Sequence, residues 1–378
     1  MDFDFDQDQL MLRDSVREYL SKECPPEFVR SMFEHPLGYS KEMWTGLAGL
    51  DWLGLTFPEE YGGLGLGMVE LCLVLEEMGR AVFPGPYFSS VVLAGTALMK
   101  GGIAAQKAKY LSAIAKGETI GTFGILEDSV DWGPESIKMT ATEKGDGYAL
   151  SGMKRFVPFA HAADVIIVPA RTSDRKEGIS LFLVDSRSEG ISTSTMTGID
   201  LTNKASEVKF DNVVVPAENR LGTADAAWPV VKDVLQTAAV AASAEMLGCS
   251  RKAMEMSVAY AKMREQFGQP IGAFQAIKHK CAEMFLEVEN SHSAVYYAAW
   301  AQDAGSDDAD LAASAAKAYV GEAARKVCGE AIQVHGGIGF TWEIDLHLYF
   351  KRAKHYELMY GDANHHQELA LRQVASSW

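Results

Sequence analysis

Arg264-Glu265-Gln266-Phe267-Gly268-Gln269-Pro270, followed by Phe274-Gln275, is the most informative stretch of the chain. It stands between two long apolar-striped segments, 227–264 and 271–303, and a third follows at 307–334. All three are rich in Ala, Met, Glu and Lys, and their helical period predicts an antiparallel bundle rather than one small core helix. A guanidinium at Arg264 suits bidentate phosphate binding, and the Phe267 ring suits the face of a flat heterocycle. Just beyond the third segment comes Gln333-Val334-His335-Gly336-Gly337-Ile338-Gly339-Phe340. Its glycines either let the backbone approach a ligand closely or end the helix by left-handed capping.

Upstream, the texture changes. Short, often β-branched runs at 119–126, 137–142, 148–151, 165–170, 179–184 and 213–215 are separated by turn signals such as Lys144-Gly145-Asp146-Gly147. That pattern predicts an antiparallel hairpin series. Residues 1–118 read as helices. Leu10, Met11, Leu12, Val16, Tyr19 and Leu20 share one face over 9–23, and Pro25-Pro26 stops that helix. Further helices are predicted at 41–50, 67–81, 86–100 and 104–117. The expected class is α+β. An N-terminal all-α domain (1–118) precedes a middle antiparallel β-domain (119–225) and a C-terminal four-helix bundle (226–378).

Composition narrows the function classes. Of 378 residues, 48% are hydrophobic and 23% charged, as in a globular protein with a large core. Lys and Arg number 35 against 51 Asp and Glu, a net charge of −16 that opposes binding to nucleic acid or to an anionic membrane. The acidic start and the lack of a long apolar run predict neither signal peptide nor membrane span. Five scattered cysteines suggest no disulfide framework or zinc site, and a reduced, cytoplasmic location is expected. Gly62-Gly63-Leu64-Gly65-Leu66-Gly67 has the wrong spacing for a dinucleotide loop and no strand before it, so a helix–helix connection is expected. Seven of the nine histidines follow residue 270. Adjacent His365 and His366 would point about 100° apart on a helix, and no HExxH occurs, so no metal site is expected.

The two glycine- and arginine-bearing motifs, the helix–β–helix layout, Pro58-Glu59-Glu60-Tyr61-Gly62-Gly63 and a helix over 71–79 ending Glu76-Glu77-Met78-Gly79 together resemble the acyl-CoA dehydrogenase family of flavoproteins. The resemblance spans nearly the whole chain. It implies non-covalent FAD and α,β-dehydrogenation of an acyl-CoA thioester, with electrons passing to an electron-transferring flavoprotein. It also implies a homo-tetramer or an α2β2 hetero-tetramer. Arg264, Gln266 and Phe267 would touch the FAD of a neighbouring subunit, and Gln333, Gly336 and Gly337 its adenine–diphosphate half. In Lys154-Arg155-Phe156-Val157-Pro158, Phe156 takes the place of the family's Trp as an aromatic wall beside the flavin. Pro158 lacks the hydroxyl and N–H usually offered there. Glu127 survives from a loop that reads Leu126-Glu127-Asp128-Ser129-Val130-Asp131-Trp132 and is otherwise degraded.

The implied chemistry needs a carboxylate to take the α-proton and preorganised donors for the thioester oxygen. Arg352-Ala353-Lys354-His355-Tyr356 is similar to the run before the family's base. With Gly361 in register, Tyr360 occupies the base position and Asp362 lies two residues beyond. The alternative position used by a few members is Ala238, and Glu245, two helical turns on, reads as a core-edge residue. Gln236 and Ala239 stand where many members carry Asp and Arg near the acyl-CoA. Three expectations compete: Asp362 is the base, a partner subunit supplies a Glu, or the fold runs a reaction such as flavin-dependent elimination. Asp2-Phe3-Asp4-Phe5, the segment from His335 to Glu343 and Tyr360-Gly361-Asp362-Ala363 resemble the smaller subunit of pimeloyl-CoA and steroid-side-chain dehydrogenases. A non-catalytic flavin-binding partner subunit is the expectation from another functional class.

Overall fold

Proline placement sets the first helices of the computed structural model, which describes residues 4–376 and leaves Asp2 and Phe3 outside. Helix α1 (Gln7–Glu23) opens on a capping box in which Asp6 and Gln9 bond each other's backbone N–H. Pro26 begins α2 (Pro26–Ser31), where a missing N–H costs nothing. Then come α3 (Lys41–Gly49), α4 (Met68–Ala81), a π-helical turn (Phe88–Ala94) running into α5 (Gly95–Gly101), and α6 (Ala104–Ala115). The expected helix at 86–100 is therefore wound in two different ways. Three long helices follow the β-region: α7 (Trp228–Met263), α8 (Gln275–Asp303) and α9 (Ala309–His335). The shorter α10 (Leu346–Leu358) and α11 (Ala363–Ser376) pack on α9, so more helices than the expected four make up the C-terminal part.

Packing sorts the chain into two units, each assembled from separated stretches of sequence. The first takes residues up to Ser31, Gly67–Phe83 and everything from Ala239. In it α1 packs on α4 and α4 on α8. Asp303, at the end of α8, accepts from the N–H groups of Met68 (2.6 Å) and Val69 (3.0 Å), which satisfies the open start of α4 from another helix. Helices α4 and α7 touch backbone to backbone. A Cβ on Gly79 would lie 2.1 Å from the Glu245 carbonyl oxygen, and one on Gly248 would lie 1.9 Å from that of Glu76.

The second unit takes Met32–Leu66 and Pro84–Ala238. Its sheet contains β1 (Gly121–Phe123), β2 (Thr140–Lys144), β3 (Gly147–Pro158), β4 (Val165–Arg171), β5 (Ile179–Asp185), β6 (Ile191–Met196), β7 (Ala205–Pro216) and β8 (Arg220–Leu221). Strand order is β6-β7-β3-β2-β4-β5-β8, with β1 beside β4. Most pairings are antiparallel as expected, but β1 runs parallel to β4, and Thr140 meets Arg171 in parallel register. The β2–β3 hairpin closes through Lys144 and Gly147, with Gly145 at φ 62° in the turn. The 62–66 glycine segment is a firm connection. Leu64, Gly65 and Leu66 donate their N–H groups to the carbonyls of Gly54, Phe57 and Leu55. Among the described residues no helix is long and apolar enough to cross a membrane.

Candidate functional site

Between α7 and α8 the chain makes a two-residue hairpin. Glu265-Gln266 (β9) pairs with Gln269-Pro270 (β10). Both central residues, Phe267 (φ 54°) and Gly268 (φ 78°), are left-handed, as a type I′ turn requires. A phenylalanine in that conformation is strained, and this one is 93% exposed. Its ring stands perpendicular to that of Phe274 (centroids 6.1 Å, 89°). The local sequence thus holds a large apolar ring out in water, against the preference of both its backbone and its side chain.

Facing the hairpin is the end of α9. Gly336 (φ 64°) caps the helix, its N–H donating to the Gln333 carbonyl. A Cβ on Gly336 or Gly337 would meet nothing within 4 Å. Gly336 thus ends the helix, and the space over both glycines is open. A hollow of about 680 Å³ lies here, lined among others by Tyr260, Arg264, Gln266, Phe267, Gly336 and Gly337. That volume is in the range of small-molecule and cofactor sites. Arg264 is exposed and, among the described residues, no acceptor pairs its guanidinium, whereas Gln266 bonds the Glu265 carbonyl (2.7 Å). Gln333 sits on the last turn of α9, exposed, and does not line the hollow.

Two lining residues escaped the sequence reading. Tyr260 and His335 stack at 4.3 Å with an interplanar angle of 23° and form one wall. The Ala331 carbonyl accepts from His335 Nδ1 at 2.8 Å, and burial pushes the ring's pKa down. A neutral ring so bonded leaves Nε2 as an acceptor. The available signal was spacing, since Tyr260 lies one helical turn before Arg264, whose N–H donates to the Tyr260 carbonyl (2.8 Å).

Tyr360 and Asp362 form a separate feature at the α10–α11 junction. Tyr360 is 5% exposed with φ 61°, and burial pushes its phenol far above the ordinary range. It stays protonated at physiological pH and takes no proton. Asp362 Oδ1 accepts from the His365 N–H (2.9 Å), capping α11. Glu245 is buried, not at the core edge as expected. Its carboxylate pairs with Arg352 Nη1 (2.8 Å) and accepts from the Tyr356 hydroxyl (3.1 Å). The Arg352 Nη2 donates to the Phe83 carbonyl (3.1 Å).

In the β-containing unit, Phe156 sits on a bulge of β3, left-handed (φ 52°) and exposed. Glu127 is engaged internally. It accepts from buried Lys154 Nζ (2.7 Å) and from the N–H groups of Lys138 and Met139, fixing the loop that precedes β2. The Pro158 carbonyl accepts from the Thr122 hydroxyl at 2.5 Å. Among the described residues no cluster of three His, Cys, Asp or Glu could hold a metal ion.

Comparison with known proteins fits this picture. Three family descriptions match in sequence: acyl-CoA dehydrogenase N-terminal domain (residues 6–118), middle domain (122–213) and C-terminal domain (227–375). The probable acyl-CoA dehydrogenase YngJ of Bacillus subtilis is 33% identical over 99% of this chain and 100% of its own. Butyryl-CoA dehydrogenase from Megasphaera elsdenii superposes with TM-score 0.92 at 27% identity, covering 99% of this chain and 100% of that one. A chain of the ChsE4-ChsE5 complex from Mycobacterium tuberculosis gives TM-score 0.90 at 28% identity over 99% of both chains.

Proposed function

The chain belongs to the acyl-CoA dehydrogenase family, and from that premise we propose that it works in FAD-dependent α,β-dehydrogenation of an acyl-CoA thioester as one subunit of a heteromeric, α2β2-type enzyme. One contrast carries the reading: an open, arginine-bearing hollow suited to a nucleotide, and, separately, a base position filled by a buried, protonated phenol. The exposed Arg264 guanidinium, the bare backbone at Gly336 and Gly337 and the exposed Phe267 ring suit the adenine–diphosphate half of FAD. Bound FAD would supply acceptance of a hydride equivalent. The hollow of this chain would bind the pyrophosphate and cover the adenine of a neighbouring subunit's FAD, while Phe156 would wall the flavin of the chain's own FAD. A partner subunit would then supply the carboxylate, and an electron-transferring flavoprotein would take the electrons. The three-part division at 119 and 226 and a cytoplasmic setting for the scattered thiols belong to the same reading.

Arg264→Gln tests the hollow. Loss of a charged hydrogen-bonding group costs about 1.5–3 kcal/mol, so FAD retention should weaken roughly 10- to 100-fold. Flavin absorbance after gel filtration, with ellipticity as the control for folding, measures it. Unchanged retention would remove Arg264 from the site.

Asp362→Asn separates cap from base. Asparagine caps a helix as well as aspartate does, so stability should hold and flavin bleaching by acyl-CoA in the assembled enzyme should be unaltered. Bleaching abolished in a folded variant would restore Asp362 as the base. Wild-type chain that bleaches fully with no partner present would exclude the heteromeric reading.

A further inference from the structure

Helix α9 carries a lysine with no access to water. Lys317 Nζ donates to the carbonyl oxygens of Gly361 (2.6 Å) and Glu357 (3.1 Å). Buried His366, from α11, holds the neighbouring carbonyl, its Nε2 lying 2.9 Å from the Tyr360 oxygen. Two consecutive carbonyls are thus gripped by side chains from two different helices. The segment needs this support. Helix α10 stops at Leu358, and both Tyr360 (φ 61°) and Gly361 (φ 97°) are left-handed. Gly361 is pressed so close that a Cβ would come within 2.5 Å of His365 and 2.7 Å of His366.

We propose that Lys317, acting with His366, is the positioning residue of the 360–362 turn. It fixes the carbonyls of Tyr360 and Gly361, and with them the side chain that fills the base position. The inference rests on the functional reading above for the ligand that this turn faces, while the clamp itself rests on geometry.

The grip depends on protonation. Burial pulls the Lys317 pKa down to about 7, opposed by Glu357 and Asp362. The Glu357 carboxylate also faces Arg325 (3.0 Å) and Lys354 (2.8 Å). His365 abuts His366, and Glu245 of α7 acts on Tyr360. Burial and the charge of Lys317 hold His366 down at about 3, so its ring stays neutral and its bond to Tyr360 constant around neutrality. A neutral amine still has two N–H groups for its two carbonyls. Solvated lysine titrates near pH 10.4. Between about pH 7 and 10.4 an opened turn therefore binds a proton that the closed turn has lost, so closure strengthens as pH rises through this window and is level below it.

Amide hydrogen exchange, corrected for intrinsic rates, tests this on the wild type and on Lys317→Met and Lys317→Arg. In the wild type, protection of the 357–366 peptide should rise by up to about tenfold per pH unit above pH 7. The Met variant should lose protection there selectively and show no pH step. The Arg variant should keep donors but lose the step, because its charge is permanent. A Met variant as protected as wild type at 357–366, or a wild type without the step, would overturn the clamp. If Met does not fold, the wild-type profile and the Arg variant still decide. No ligand enters the measurement, so a clamp that behaves as stated in a protein that binds no acyl-CoA would stand while the functional reading fell.

Discussion

Replacing Arg352 with Met is expected to lower stability by about 3–5 kcal/mol, because it leaves the Glu245 carboxylate buried without its counter-charge. The side chains of Arg352 and Glu245 are only 3% and 5% exposed. Water cannot fill the vacated place cheaply, and the Phe83 carbonyl loses its donor as well. A neutral donor such as the Tyr356 hydroxyl does not replace a full counter-charge at that depth. The deficit has a pH signature. Without the arginine, burial would raise the Glu245 pKa above its unfolded value near 4.3. The folded variant then binds an extra proton, and its deficit should shrink as pH falls through that raised pKa. Urea unfolding at several pH values measures both effects. Adding Glu245→Gln to the variant should recover much of the loss, since a neutral amide still accepts from Tyr356. A double variant no better than Arg352→Met would show that the arginine acts through packing and not through charge.

Gly248→Ala is the second large effect. Helix propensity alone predicts a gain of about 1 kcal/mol, because alanine is the better helix former. The added methyl would sit 1.9 Å from the Glu76 carbonyl oxygen and 2.9 Å from the Arg80 nitrogen, and all of these are backbone atoms that cannot step aside singly. Helices α4 and α7 must part instead. That strains the ion pair of Arg251 with Glu76 (2.8 Å), whose carboxylate also receives the Tyr296 hydroxyl (2.8 Å). A net loss of about 3 kcal/mol or more is expected, at the upper end of overpacking effects. Gly49→Ala is the control. A Cβ there meets nothing within 4 Å at the end of α3, so it should be neutral or slightly stabilising. Equal melting of the two variants would mean that the crossing relaxes freely.

Where the chain's own chemistry is local, the sequence was readable. The long helices, the Arg264–Phe267 and Gly336–Gly337 motifs and most strands stand in periodicity and turn residues. The polar alternation of Ile191-Ser192-Thr193-Ser194-Thr195-Met196 hid β6, an edge strand whose middle residues face solvent. Longer-range relations were not legible. Nothing near Glu245 in sequence announces Arg352, and Lys317 looks like any lysine on an alanine-rich helix until the α10–α11 turn folds over it. The same distance hid the capping role of Asp303 at α4. Asp362 was visible as a carboxylate, but its use as a helix cap appears only once α11 begins at Ala363.

The interleaving of the first packing unit bears on how the protein is made. Helices α1, α2 and α4 leave the ribosome early, yet the helices of their own unit begin again only at Ala239. At typical elongation rates the intervening 84–238 segment takes on the order of ten to thirty seconds to synthesise. For that interval the early helices have only each other to cover their apolar faces. Nascent chains are then exposed to chaperones, and a truncated product ending inside the β-region would carry an unfinished core.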